Sequence, residues 1–133
     1  MQIVLSGRTA VVTGSTAGIG LAIAIGLARA GAHVVITGRT QARVDQALAE
    51  VGSQVAGATL SGVAGDLGTS EGAAHLIRQM PDADILVNNL GIFEPKPFEE
   101  IDDADWNRFF AVNVLSGIRL ARLYLPVMKK NNW

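Results

Sequence analysis

Short apolar runs rich in β-branched residues alternate with longer amphipathic stretches along the chain. The four runs are typical of buried strands, and they lie at 9–14 (TAVVTG), 33–38 (HVVITG), 58–66 (ATLSGVAGD) and 83–89 (ADILVNN). The third run is the weakest of these predictions, because glycine within a strand weakens it. Each run is followed by a stretch with helical periodicity.

The helical stretches carry their own start and stop signals. They are predicted at 19–32, 41–52, 70–80 and 102–130. Gly31 and Gly52 stand where glycine commonly ends a helix. Ser70 is the predicted N-cap of the third helix, which should end before Pro81. The last helix has acids at its start and lysines at its end, as the helix dipole favours.

A strand–helix unit repeated four times indicates a parallel sheet with helices on both faces. Right-handed crossovers are nearly obligatory in such units. We therefore predict a Rossmann-like, doubly wound α/β fold with strand order 3-2-1-4, forming one domain over residues 1–133. On the last helix, one face is expected to run through Trp106, Phe109, Phe110, Asn113, Gly117, Leu120, Tyr124 and Met128.

Composition excludes several classes of function. The formal net charge is −1, so no basic surface for nucleic acid or an anionic membrane is expected. The chain has no cysteine, which removes disulfides and thiolate metal sites and suits a cytoplasmic protein. His33 and His75 lie far apart without a carboxylate cluster, so no metal site is predicted. The apolar stretch 19–36 is interrupted by Arg29 and His33 and is not predicted to span a membrane.

The first strand runs into a glycine-rich turn, TGSTAGIG, at 13–20. Gly14 permits a tight turn, Gly18 allows a pyrophosphate to approach the backbone, and Gly20 allows the helix to pack close to the strand. Free N–H groups at the helix start, together with the helix dipole, attract phosphate. The position of this loop at the first strand-to-helix turn therefore predicts a dinucleotide site.

Four motifs in order resemble those of the short-chain dehydrogenase/reductase family. The glycine loop has the spacing Gly-x-x-x-Gly-x-Gly after Thr13, and Asp66-Leu67 follows the third strand. Asn-Asn-Leu-Gly at 88–91 follows the fourth strand, with leucine where the family has alanine. Asn113 stands in the middle of the last helix within AVNVLSG. The resemblance covers the whole chain.

The resemblance implies roles for several residues. Asp66 would bind the adenine amino group, Leu67 would line the adenine pocket, and Asn89 and Gly91 would face the ribose and nicotinamide. Asn113 would hold a water for proton transfer and is the catalytic candidate. Purely structural alternatives remain for these positions: a loop cap for Asp66, and backbone hydrogen bonds for Asn89 and Asn113. The full predicted cofactor set is Gly14, Ser15, Thr16, Gly18, Ile19, Gly20, Arg39, Asp66, Leu67, Asn89 and Gly91.

Cofactor choice depends on the end of the second strand. An NAD site needs an acid there to accept from the ribose 2′-hydroxyl, but the sequence reads ITGRT, with Arg39 and no acid before Asp45. Arginine is suited to a 2′-phosphate. NADP(H) is therefore predicted, with NAD(H) as the alternative. The family's NADP-preferring members often carry a second basic residue at the position of Ala17, which this chain lacks, and Arg39 could instead be a solvated loop residue.

The catalytic tyrosine and lysine that the resemblance implies have no match. The only tyrosine, Tyr124, is followed four positions later by Met128, and Lys129 is one residue out of phase. The resemblance also implies a serine on a fifth strand, which is not present. The chain is thus expected to represent the N-terminal half of such an enzyme and to be inactive alone.

Three functional interpretations follow. The first is an oxidoreductase that interconverts a carbonyl and an alcohol, with residues 92–98 bordering the substrate. The second is a non-catalytic dinucleotide-binding protein, either a sensor or one half of a split enzyme. The third is a flavodoxin-like phosphate binder of the same fold class, against which the Asn-Asn-Leu-Gly motif and Asn113 argue. A homo-oligomer formed through the 103–130 helix is expected, because that helix is apolar nearly all round.

Overall fold

The computed structural model describes residues 2–133. It contains four strands, β1 (Thr9–Val12), β2 (His33–Gly38), β3 (Leu60–Ala64) and β4 (Ile85–Val87). The helices are α1 (Gly18–Arg29), α2 (Gln41–Gln54), α3 (Ser70–Gln79), α4 (Asp103–Phe110) and α5 (Ser116–Asn131). A 3₁₀ turn at Phe98–Glu100 precedes α4, and a π-helical segment at Ala111–Leu115 joins α4 to α5.

All strands are parallel and lie in the order β3-β2-β1-β4, as predicted. In the central strand β1, Val11 is in register with Val35 of β2 and with Leu86 of β4. Side chains alternate between the faces of this strand. Val12 therefore packs in a core with α1 and α2, whereas Val11 packs in a second core with α3 and α5.

Two helix boundaries differ from the predictions. Helix α2 does not stop at Gly52 but continues to Gln54, and the chain turns at Gly57, whose φ is +74°. Gly52 has ordinary helical geometry, so the left-handed residue that ends this segment lies five positions further on. The N-cap of α3 is Thr69 rather than Ser70, because the Thr69 hydroxyl accepts a hydrogen bond from the N–H of Gly72 at 3.0 Å.

The predicted last helix is divided by the π segment, and this changes which residues face the sheet. Leu120 and Tyr124 are fully buried, as predicted. Before the π segment, however, Trp106 and Phe110 are 55% and 54% exposed, whereas Phe109, also on the predicted face, is half-buried together with Asp105. The prediction was therefore wrong for Trp106 and Phe110 but not for Phe109, because a π turn accommodates one more residue than an α turn and shifts the phase by about 100°.

The helical stretch Asp103–Asn131 is long and apolar enough, with a hydropathy of 1.2, to cross a membrane by length and composition alone. It is the one such stretch within residues 2–133. A single helix of this kind is weak evidence, because core helices pass the same test. Here Leu120 and Tyr124 pack in the core beneath the sheet, whereas only 17% of the apolar window is buried.

Tyr124 fixes α5 to the end of α3. Its ring is fully buried, and its hydroxyl donates to the carbonyl oxygen of Met80 at 2.8 Å. Burial raises the pKa of Tyr124 to about 12. The side chain is therefore a packing residue with a satisfied hydroxyl.

The raised pKa of Tyr124 predicts a loss of stability at alkaline pH. Tyrosine in the unfolded chain ionises near pH 10, so the contribution of Tyr124 is complete below about pH 10 and is lost as the pH rises to about 12. Urea unfolding across this range measures the loss. Tyr124→Phe should reduce the pH dependence while lowering stability at neutral pH by about 1 kcal/mol. The same alkaline loss in the phenylalanine variant would contradict this assignment.

Candidate functional site

A cavity of about 330 Å³ lies at the carboxyl edge of the sheet, where the strands of an open parallel sheet place ligands. The elements after all four strands contribute to it. Its walls include six of the predicted cofactor residues, Gly14, Thr16, Arg39, Asp66, Leu67 and Gly91. The remaining lining residues are Thr37, Gly38, Arg43, Gly65, Leu90, Ile92, Arg108 and Val112.

The glycine loop has the backbone that a phosphate cradle requires. Gly14 and Gly18 have φ angles of +61° and +57°, in the left-handed region that side chains disfavour. No atom lies within 4 Å of the position that a Cβ on Gly18 would occupy, so the loop is open there. No side chain caps the first turn of α1. Its N–H groups therefore remain available to an anion, and the loop fits the pyrophosphate of a dinucleotide.

Gly20 allows a close contact between the glycine loop and the first turn of α1. A Cβ at Gly20 would lie 2.2 Å from the carbonyl oxygen of Gly14 and 2.5 Å from Nδ2 of Asn89. The first turn of α1 thus packs directly on the end of β1. Ile19, next to it, is 74% exposed on the same turn.

The buried hydroxyl of Thr13 joins the ends of β1 and β4. It donates to the carbonyl oxygen of Val87 at 3.2 Å and accepts from the N–H groups of Asn89 and Leu90 at 3.0 and 2.9 Å. The side chain of Asn89 then donates to the carbonyl oxygens of Thr13 and Gly14 at 3.1 and 3.2 Å. Asn89 therefore holds the glycine loop, as its structural alternative predicted, and it does not line the cavity.

Ser15 is a second buried link, between β1 and β2. Its hydroxyl donates to the carbonyl oxygen of Val12 at 2.7 Å and accepts from the N–H of Thr37 at 2.8 Å, while its own N–H donates to the carbonyl oxygen of Thr37 at 3.1 Å. Both donors of Ser15 are thus used within the protein. Its predicted contact with a cofactor stays a prediction, and its visible role is to shape the loop.

Asp66 occupies a tight turn beside the cavity. Its Oδ1 accepts from the N–H of Gly68 at 2.9 Å, which is the loop cap foreseen as its alternative role. Oδ2 makes no hydrogen bond to the described residues, so this residue of the cavity wall keeps one free acceptor. Leu67 is buried and forms part of the cavity wall. The pair can therefore offer an acceptor and an apolar surface side by side.

Two arginines stand at the end of β2. Arg39 follows the strand, and Arg43 lies on the first turn of α2, one helical turn further on. Both line the cavity, and neither forms an ion pair with a carboxylate among residues 2–133. Gly38 brings this strand close to the glycine loop, because a Cβ there would lie 2.5 Å from Cγ2 of Thr16. The cavity thus has a cationic end next to the phosphate cradle.

Asn113 lies in the π segment and forms two hydrogen bonds with the loop after β4. Its Oδ1 accepts from the N–H of Ile92 at 2.6 Å, and its Nδ2 donates to the carbonyl oxygen of Ile92 at 3.0 Å. The side chain is exposed, not buried among apolar neighbours as its sequence context indicated. The helix path at Asn113 is irregular, and π segments are frequent at functional sites. These two backbone hydrogen bonds are the structural role foreseen as the alternative for Asn113.

Ion pairs attach the loop at 92–98 to α4. The guanidinium of Arg108 contacts both carboxylate oxygens of Glu94, at 2.9 and 2.6 Å, and Lys96 contacts Asp105 at 2.6 Å. Hydrogen bonding to Arg108 lowers the pKa of Glu94, and hydrogen bonding to Lys96 lowers the pKa of Asp105. All of these groups except Asp105 are solvent-exposed, so the attachment is salt-sensitive.

Comparison with known proteins agrees with this geometry. Residues 8–133 match the short chain dehydrogenase family. The chain belongs to this family. The short-chain dehydrogenase fold also matches L-sorbose reductase from Gluconobacter frateurii, solved with NADPH and L-sorbose, with a TM-score of 0.90 and 36% identity over 98% of this chain and 51% of that one.

Curated short-chain dehydrogenase relatives are similar over nearly all of this chain. The oxidoreductase YvaG of Bacillus subtilis is 54% identical over 96% of this chain and 48% of its own length. D-beta-hydroxybutyrate dehydrogenase of Cupriavidus necator is 37% identical over 97% of this chain and 51% of its own length. The chain therefore spans about half the length of the curated relatives it matches.

Several residues of this short-chain dehydrogenase site were missed by sequence analysis. Arg43 was overlooked because it lies inside a helical stretch, although its spacing of four from Arg39 was a usable signal. Thr13 and Thr37 are strand-end hydroxyls, and nothing local in the sequence indicates which backbone groups they bind. Arg108 belongs to a helix distant in sequence. Within residues 2–133 no cluster of three metal-ligating side chains occurs.

A matched pair of glycine substitutions tests the close contact at the loop. Gly20→Ala places a Cβ against the carbonyl of Gly14, so it should lower the melting temperature and weaken nucleotide binding. Gly26→Ala lies on the same helix with no atom within 4 Å of its Cβ. It should stabilise the fold by about 0.5–1 kcal/mol, because alanine is the better helix former. Equal melting temperatures for the two variants would refute the packing argument.

Proposed function

We propose that this protein supplies the cofactor-binding part of an NADP(H)-dependent oxidoreductase that interconverts a carbonyl and an alcohol. When bound, the nicotinamide dinucleotide supplies the hydride. The observation that carries the proposal is the pair Arg39 and Arg43, free of ion pairs within the described residues and placed at the end of β2. That is where a dinucleotide fold receives the group on the adenosine 2′-position.

The loop and cavity residues would act on different parts of the cofactor. The N–H groups at the start of α1 would bind the pyrophosphate, and the two arginines would bind the 2′-phosphate. Asp66 and Leu67 would receive the adenine. Gly91, whose Cβ position is only 3.2 Å from Oδ1 of Asn113, leaves room for the ribose and nicotinamide side. The structure of L-sorbose reductase with NADPH supports this choice of cofactor by similarity.

Substitution of the arginines should separate the two cofactors. Arg39→Asp should reverse the preference from NADPH to NADH, since aspartate repels a phosphate and accepts from a 2′-hydroxyl. Arg43→Gln should weaken NADPH binding by about 10- to 100-fold and leave NADH binding unchanged, because one charged hydrogen-bonding group is removed. Arg29→Gln, on an exposed helix end, is the control. Calorimetric titration measures both affinities, and equal wild-type affinities would reject the NADP(H) assignment.

The reaction itself needs groups that residues 1–133 do not supply. A general acid must donate a proton to the carbonyl oxygen of the substrate. Tyr124 cannot do so, because its side chain is buried, its hydroxyl is hydrogen-bonded to the carbonyl oxygen of Met80, and its pKa is raised to about 12. Met128, not lysine, follows four positions later. This observation also favours the second interpretation, in which these residues bind a dinucleotide as one half of a split enzyme or as a sensor.

We therefore expect the 133-residue chain alone to show no turnover. General acid–base help is worth roughly 10²–10⁴-fold, and loss of substrate positioning costs more. Oxidation of NADPH, followed by absorbance with a panel of ketones and aldehydes, measures this. Adding a separately produced C-terminal half of YvaG, the relative with 54% identity, should restore turnover if the halves assemble. Turnover by the chain alone would overturn the proposal that its chemistry requires further residues.

We also propose a homo-oligomer formed through the helix at 103–130 and a cytoplasmic location. Val114, Ile118 and Leu125 on this helix are 41%, 50% and 49% exposed, which is apolar surface that a second subunit would cover. The absence of cysteine suits a reducing compartment. A symmetric pairing of the helix with its copy would close at the dimer.

A further inference from the structure

Arg108 is a third guanidinium group in the wall of the cavity at the carboxyl edge of the sheet. Arg39 and Arg43 reach this cavity from the end of β2, whereas Arg108 belongs to α4. The 2′-phosphate of the cofactor is accounted for by the pair after β2. Arg108 is therefore available to a different part of the same ligand.

Two carboxylates hold the guanidinium of Arg108 in one orientation. Nη1 and Nη2 donate to the two carboxylate oxygens of Glu94 at 2.9 and 2.6 Å, and Nη2 lies 3.5 Å from Oδ1 of Asp105. A bidentate pair fixes the plane of the group as well as its position. The ring centroid of Phe109 lies 5.3 Å from Cζ, yet 44% of the Arg108 side chain remains exposed. Arg108 thus presents a fixed, flat and accessible surface.

The surface of Arg108 lies beside the turn that follows β3. Val112, four positions after Arg108, also lines the cavity, and residues four apart are neighbours on one helix face. Cγ2 of Val112 is 3.1 Å from the position that a Cβ on Gly68 would occupy. Asp66 and Leu67 directly precede Gly68 and line the same cavity. This helix face and the turn after β3 therefore enclose one end of the cavity.

The groups at this end of the cavity complement a purine base. The free acceptor of Asp66 suits the amino edge of adenine, and the apolar surface of Leu67 suits the ring. A guanidinium plane stacks on aromatic rings and on nucleobases, so Arg108 suits a face of the same base. Because the charge of Arg108 is already paired with Glu94, the group adds little net attraction for the phosphates. Its contribution would come from stacking.

We propose that the guanidinium of Arg108, held by Glu94, stacks on the adenine ring of the bound dinucleotide. This inference rests on the proposed function, because it requires the adenine to lie at Asp66 and Leu67. Arg108 is then a cofactor-binding residue outside the four sequence motifs, and Glu94 is its positioning residue. The loop at 92–98, which carries Glu94, is thereby linked to the cofactor through a single side chain.

Calorimetric titration with adenosine 2′,5′-bisphosphate, the adenine half of NADPH, tests the contact. Arg108→Gln should weaken binding about tenfold, because a stacked cation is lost. Arg108→Lys keeps the charge but has no plane and cannot bind both oxygens of Glu94, so it should weaken binding nearly as much. Arg122→Gln removes an exposed arginine of α5 that does not line this cavity, and it should bind like wild type. Circular dichroism checks that each variant is folded.

A double variant separates stacking from charge. In Arg108→Gln alone, the carboxylate of Glu94 is left unpaired and repels an anionic ligand. Arg108→Gln/Glu94→Gln removes the whole ion pair without changing the net charge of the protein. It should bind adenosine 2′,5′-bisphosphate as weakly as Arg108→Gln does. A double variant with wild-type affinity would show that the single substitution acts through the unpaired carboxylate, and the proposal would be overturned.

The hypoxanthine analogue of the same ligand distinguishes the face of the base from its edge. It keeps the purine ring but lacks the amino group, so Arg108→Gln should weaken both ligands by the same factor. A loss confined to adenine, or wild-type affinity in Arg108→Gln or Arg108→Lys, would overturn the stacked arrangement and leave the proposed cofactor site intact. Wild type that does not bind adenosine 2′,5′-bisphosphate would instead reject the NADP(H) site itself, and the role of Arg108 with it.

Discussion

The packing of α1 against the end of β1 is the constraint on which the cofactor site depends. Gly20 has room for a hydrogen only, because the carbonyl of Gly14 and the amide of Asn89 occupy the space of a side chain. This contact places the helix start, with its uncapped N–H groups, at the mouth of the cavity. On the other side, the hydroxyl of Thr13 stabilises the same contact by accepting hydrogen bonds from two backbone N–H groups just after β4. The strand order, the glycine spacing and the position of Asn89 thus all serve this one contact between α1 and the end of β1.

Most of the architecture could be predicted from local patterns. The parallel order and the two helix layers follow from alternating periodicity, and the glycine loop follows from its place between a strand and a helix. The boundaries that were wrong share a physical cause. In each case a second residue suited to the same role lies nearby: Gly57 is five positions after Gly52, and Thr69 directly precedes Ser70. Long-range hydrogen bonds such as those of Thr37 leave no periodic trace in the sequence.

The candidate site was predictable where a motif carries the chemistry and not where distant elements meet. Gly14, Arg39 and Asp66 come to one cavity as expected. Ser15 and Asn89 were placed at the cofactor, but their polar groups are used to hold the loop in shape. Sequence spacing cannot distinguish a residue that touches a ligand from one that shapes the surface around it. Both kinds of residue are required, because the N–H groups of the glycine loop can face a ligand only when hydrogen bonds to its carbonyl oxygens hold the loop in shape.

The π segment at 111–115 joins α4 and α5 into one continuous helix whose two parts turn different faces toward the sheet. Its extra residue turns everything before it by about 100° relative to everything after it. Asp105 and Arg108, which hold Lys96 and Glu94, therefore aim at the loop beyond β4, while Leu120 and Tyr124 aim at the sheet. A one-residue deletion here would leave a longer, more regular helix and a protein of nearly the same composition. It would also rotate the loop's anchors away from the cavity, so the wall of the site depends on one irregular turn.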